Sequence, residues 1–316
     1  MQPIDNAVLL DEKELSQFIG DILEEARGVI NPNNINLYLR DDPSLHSIIQ
    51  TSIDAITGDY SIYVKPEAVN DDYTLSHELL HICVRKHVPG FIKVVQSDVV
   101  GLIGAELQGY LDHKWILAEQ KRRGLVIDEM ALYAGIEETI GADREKFEDN
   151  IEQILIISNI LRNHPKVFEL HREFFANNNP ESMELAQRIM SHYPDQEVYT
   201  NYEARRITVS AIREWNSIFK EEGLTSVNLS FLISVEPVFS ANQLQMKADV
   251  VLALLPYAIV DASDKTPRHV LATLADNQCC VVFSIEDNAL GPLKSYMERK
   301  TLKEFLDSMN ISYLLR

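Results

Sequence analysis

The densest concentration of chemistry-bearing side chains in this 316-residue chain is the stretch DDYTLSHELLHICVRKHVPGF, residues 71–91. It holds His77, Glu78 and His81 in the pattern H-E-x-x-H. On a helix, residues four apart project from one face, one turn apart, so both imidazoles can reach a single tetrahedral Zn²⁺. Glu78 is placed beside them to take a proton from water at that ion, which lowers the pKa of such water towards neutrality. Lewis acid, nucleophile and base would then stand together, the set needed to hydrolyse an amide at neutral pH.

The surrounding residues favour this reading over three polar groups stranded on a buried helix. Leu75, Leu79 and Ile82 form one apolar face, and Leu80 and Val84 add apolar character elsewhere. Unpaired polar groups in such a setting are costly, whereas a metal and its water satisfy them together. Asn70, Asp71 and Asp72 supply caps and negative charge at the start of this helix, and Pro89-Gly90 stops it. A strand, YSIYVKP, precedes it.

HELLH after a strand resembles the zincin metallopeptidases, and the absence of a leader pattern is similar to the ImmA/IrrE-like group of bacterial regulatory peptidases. The resemblance covers roughly residues 1–135 and is loose beyond the pentapeptide. It implies a zinc-dependent peptidase with Glu78 as general base and then acid, acting on a protein or peptide partner. The rival is a non-catalytic binding or regulatory protein on the same fold, with a structural metal closed by four protein ligands.

Four residues compete to be the third ligand. His87 completes H-E-x-x-H-x-x-G-x-x-H, the pattern of the metzincin group, except that Val84 stands where that group has glycine. The turn that would swing His87 back is poorly tolerated by a β-branched residue, and on a straight helix His87 lies about 120° round from His81. The following helix, SDVVGLIGAELQGYLDHKWILAEQKRRG, offers Glu106 and His113, seven residues apart and therefore on one flank. In the gluzincin group the third ligand is a glutamate on a following helix, and Glu106 lies 25 residues beyond His81. Asp112 falls on the opposite flank, beside Trp115, and serves only if the helix is rotated. A ligand from Glu106 or His113 is expected, and the choice between them stays open. Tyr110 and Tyr133 could stabilise an oxyanion, but each is expected instead as a core or rim aromatic, and Met130 in DEMALY is expected to pack.

The elements that must position these residues read as an α+β fold. A helix is expected over 11–27, a strand at INLYL, a second helical stretch near 45–57, the strand YSIYVKP, the motif helix, and a long helix over 97–123. This gives a zincin-like domain at 1–135, followed by a helical segment at 136–223 with breaks at NHP, NNNPES and HYPDQ. In residues 224–316, VNLSFLISV, DVVLALL and CCVVFSI read as strands separated by the helical TPRHVLATLADN and LKSYMERKTLKEFLDSMN. That alternation predicts a small α/β domain, suited to partner binding or sensing. It carries no phosphate loop and no nucleophile elbow.

Composition sets outer bounds. Hydrophobic residues make up 46% and charged residues 24%, ordinary for a globular protein. The formal charge of −19 argues against general nucleic-acid binding, which needs clustered Lys and Arg. The three cysteines, Cys83, Cys279 and Cys280, have no zinc-finger spacing and imply a reducing compartment. The N-terminus shows no signal-peptide pattern and the longest apolar run, 250–260, is too short to span a bilayer, so a cytoplasmic, membrane-independent protein is expected.

Overall fold

The computed structural model describes residues 7–41, 49–54, 57–88, 92–94, 99–125, 128, 133–195, 198, 200–224, 227–257, 268–285 and 287–316. The chain is mixed α+β and divides into two compact units, residues 1–87 with 112–128, and residues 88–111 with 129–316. The segments expected as a helical middle and a C-terminal domain both lie in the second unit.

In the first unit, β1 (Val8–Leu9), β2 (Ile35–Leu39), β3 (Ile49–Ile53) and β4 (Tyr60–Val64) form one sheet in the order β1-β2-β4-β3. β2 runs parallel to β4, and β1 and β3 are antiparallel to their neighbours. β3 replaces the helix expected near 45–57. Its residues, IQTSI, alternate with β-branched side chains, which suit a pleated surface, and Ile49 is buried opposite Val64. The turn into β4 contains Gly58 at φ +76°, and a Cβ there would meet Asn33 Nδ2 at 2.6 Å.

α1 (Gln17–Ile30) buries Ile19, Ile22, Leu23 and Ala26, one stripe at helical spacing. It starts later than the expected residue 11 because Glu12–Glu14 form a 3₁₀ turn and Ser16 caps the helix, accepting from Ile19 N. The Ser16 hydroxyl also donates to Asp72 at 2.8 Å, tying the start of α1 to the start of α2 (Asp72–Cys83). Asp71 caps α2, accepting from the backbone of Tyr73 and Thr74. Leu75, Leu79, Leu80, Ile82 and Cys83 of α2 are all buried, which fixes its rotation. α3 (Val99–Arg122) follows, and its residues from Asp112 onward belong to this unit. There Gln120 donates through Nε2 to Tyr73 O and Ser76 Oγ, both at 2.9 Å, locking the axial register of α2 against α3.

The second unit contains β5 (Ile92–Val94) and the helices α4 (Ile136–Ile140), α5 (Phe147–Asn163), α6 (Pro165–Asn178), α7 (Pro180–Met190) and α8 (Asn201–Glu221). The breaks fall where Pro165 and Pro180 open new helices. β5 pairs with β6 (Ile233–Val235), and β7 (Val238–Phe239) pairs with a strand near the last residue. β8 (Leu252–Tyr257), β9 (Arg268–Thr273) and β10 (Cys279–Ser284) form an antiparallel sheet in the order β10-β9-β8. α9 (Asp287–Arg299) and α10 (Leu302–Ser308) lead to β11 (Leu314–Leu315).

This sheet corrects the expected α/β alternation. TPRHVLATLADN contributes strand β9 rather than a helix, because Val270, Leu271 and Ala272 are all buried between two antiparallel neighbours. VNLSFLISV begins with a helical turn, Leu229–Leu232, before β6. Phe239, Leu252, Leu271, Met297, Phe305 and Leu306 share one core that joins sheet and helices. Among the described residues no helix is long and apolar enough to cross a membrane.

Candidate metal centre

His77, Glu78 and His81 reach their places through the burial of the opposite sides of α2, which leaves the two histidines partly exposed. His113, on α3, meets them. One nitrogen from each of His77, His81 and His113 lies within 4.8 Å of the other two. The rings cluster with centroids 4.9 Å apart for His77–His81, 4.9 Å for His77–His113 and 5.0 Å for His81–His113. His81 Nε2 and His113 Nε2 are 3.2 Å apart. Zn–N bonds of about 2.0–2.1 Å in a tetrahedral shell put ligand nitrogens about 3.3–3.4 Å apart, so this separation suits two corners of such a shell. The same separation also suits a hydrogen bond between the two rings in the absence of an ion. The donor set, three imidazoles, can hold a metal ion.

Behind His81 stands Asp112, 1% exposed. Its Oδ2 accepts from Arg85 Nη2 at 2.7 Å and faces His81 Nδ1 at 3.6 Å, slightly long for a hydrogen bond. Asp112 thus stands on the Nδ1 side of the His81 ring, while His81 Nε2 faces His113 in the histidine group. Arg85, one turn beyond His81, compensates the charge of the buried carboxylate.

Glu78 accepts a hydrogen bond from the Thr51 hydroxyl at 3.3 Å. Burial pushes the Glu78 carboxyl above the ordinary carboxylate range, opposed by the nearby His81 and by the Thr51 hydroxyl. Thr51 sits in the middle of β3, so the sheet edge runs past this carboxylate.

The open choice between Glu106 and His113 resolves to His113 as the residue that joins the motif histidines. Two turns of α3 separate the two residues, and Glu106 falls in the second unit, where it accepts from Asn159 Nδ2 at 3.4 Å. Seven residues at about 1.5 Å rise put them roughly 10 Å apart along the helix axis, so the two do not meet at one point. Asp112 is no member of the histidine group; it faces His81 Nδ1 and pairs with Arg85. His87 lies beyond a 3₁₀ turn, Val84–Lys86, and its ring stacks on Trp115 with centroids 4.7 Å and planes 12° apart.

Tyr110 is buried in the second unit, with its hydroxyl donating to Leu155 O at 3.4 Å, and Tyr133 lies against the His164 ring there. Met130 lies outside the described residues. Sequence reasoning missed Thr51, hidden in a stretch assigned to a helix, and the pairing of Arg85 with Asp112. The β-branched residues at alternate positions of IQTSI were the available signal for the first, over too short a run to decide it. For the second, the sequence offered only Arg85 standing four residues, one helical turn, after His81.

No family model matches the chain, and neither a curated protein nor a solved structure is significantly similar to it.

Proposed function

We propose that this protein is a zinc-dependent peptidase of the zincin type, cleaving a peptide bond in a cytoplasmic protein partner. The observation that carries the reading is that His113, from a different helix, supplies the third nitrogen to a group whose other two flank a half-buried glutamate in H-E-x-x-H. Structural zinc sites are closed by four protein side chains, while catalytic ones keep a position open. Three residues, not four, make up this group among the described residues. A zinc ion held by His77, His81 and His113 would polarise the scissile carbonyl and lower the pKa of water beside it.

Glu78 then accepts the proton of the attacking water and returns it to the departing amine as the C–N bond breaks. Thr51 holds the carboxylate at the sheet edge. Among the described residues β3 is an edge strand, and an extended peptide can add to such an edge through main-chain hydrogen bonds, which would lay it past Glu78. A reducing compartment accords with three free, buried thiols.

The test is Glu78→Gln, which keeps size and hydrogen bonding but removes the proton acceptor. Wild type and variant, each with zinc content measured, are exposed to native-host lysate and the protein fragments compared by mass spectrometry. The variant is expected to retain zinc and to lose cleavage by at least ~100-fold, the scale of a general base. Identical fragments from both forms with zinc bound would favour the non-catalytic binding protein.

A further inference from the structure

We infer that the second unit carries a binding site for a small phosphorylated anion, in a cavity of about 320 Å³ lined by α8, the β9–β10 turn and Arg316. Four arginines, Arg205, Arg206, Arg213 and Arg316, line it against one aspartate, Asp276, in a chain whose formal charge is −19. The aspartate is already committed. Arg205, 4% exposed, uses all five of its N–H donors: Nε and Nη2 on Asp276 at 3.0 and 3.1 Å, Nη2 on the Thr273 hydroxyl at 3.1 Å, and Nη1 on the carbonyls of Val235 at 2.7 Å and Glu236 at 3.0 Å. Arg205 is therefore a strut, and Asp276 cannot serve the other three guanidinium groups as well.

Those three keep their donors largely uncommitted. Arg213 donates once, to the Asp276 carbonyl at 2.8 Å. Arg316 lies over the Tyr202 ring, 3.9 Å from its centroid, which sets its plane without engaging its donors. Arg206 is exposed and has no carboxylate partner among the described residues. Isolated surface arginines need no explanation, but three around one cavity repel each other and define a positive potential. A phosphate monoester fits this surplus better than one carboxylate, since it brings a charge of about −1.5 to −2 and three strong acceptors. The volume lies at the small end for ligand sites, which admits a compound no larger than a nucleoside monophosphate.

Calorimetric titration of the full chain with adenosine monophosphate, inorganic phosphate and succinate tests this, at low and raised ionic strength. Wild type is expected to bind the two phosphates, more weakly as salt rises. The Arg206→Gln/Arg213→Gln variant, which spares the strut Arg205, should lose at least about tenfold in affinity, as expected when charge-assisted hydrogen bonds are removed. A His77→Ala/His81→Ala variant should bind the phosphates as wild type does, which separates this cavity from the histidine group. No binding by wild type, undiminished binding by the arginine variant, or loss only in the histidine variant would overturn the site. Succinate binding as tightly as phosphate would overturn the phosphate assignment.

Discussion

The histidine group of the first unit and the arginine cavity of the second solve opposite problems. At the histidine group, imidazole nitrogens from two helices come together, within 4.8 Å of one another. Such nitrogens gain nothing from mutual approach unless a cation or a shared proton sits between them. In the arginine cavity the side chains are permanently charged, lose nothing by being spread, and surround a volume rather than a point. Convergence on a point needs helices held in fixed register, which Gln120 supplies by bridging α3 to α2. Surrounding a volume needs one rigid wall, which Arg205 supplies with its five hydrogen bonds. The first arrangement can hold a single ion, and the second is the one we propose for an extended anion.

The sharpest way to break this contrast is His113→Ala. Removing a nitrogen from the converging set should abolish stoichiometric zinc in protein purified without added metal, a loss exceeding the ~100-fold that supporting residues typically contribute. Elemental analysis reads it directly. Wild type should contain about one zinc per chain, and retention of that content by His113→Ala would show that the histidines cluster for another reason.

Legibility followed the range of the interactions. The motif helix was readable because capping by Asp71, the apolar residues from Leu75 to Ile82 and the four-residue spacing of His77 and His81 are all local. His113 was readable only as one of a pair, since angular position on a helix is local but which turn meets the partner helix is set by long-range contacts such as those of Gln120. β3 was misread because five residues carry too little periodicity, and its pairing with β4 decides its state. β9 failed for the same reason, with Val270 to Ala272 equally suited to a buried helix. The arginine cavity was invisible, because Arg205, Arg206 and Arg213 on α8 line it together with Asp276 and Arg316, far away in sequence.

A milder perturbation asks whether the convergence depends on support from behind. Asp112→Asn keeps the volume at a 1% exposed position while removing the charge that faces His81 Nδ1. It also leaves Arg85 without its carboxylate. Zinc affinity should fall by about 10–100-fold, the range for groups that orient a ligand without touching the metal. Competition with a chromophoric chelator measures this, and an unchanged affinity would mean that packing alone orients the ring.

The smallest effect is expected at His87, and it settles which histidine is structural. His87 falls at the place that would complete a metzincin-like triad, yet its ring lies flat on Trp115 at 4.7 Å beyond the 3₁₀ turn that ends the motif helix. Val84 continues in right-handed helical geometry, φ −57° and ψ −24°, so the chain makes none of the sharp reversal a third ligand there would require. His87→Ala removes one stacked pair and should cost about 0.5–1.5 kcal/mol, read as a small drop in urea midpoint with an unchanged slope. Its zinc content and chelator competition should match wild type. Should His87→Ala lose the metal while His113→Ala keeps it, the helix would have to turn after Val84 in solution, and the ligand set would be His77, His81 and His87.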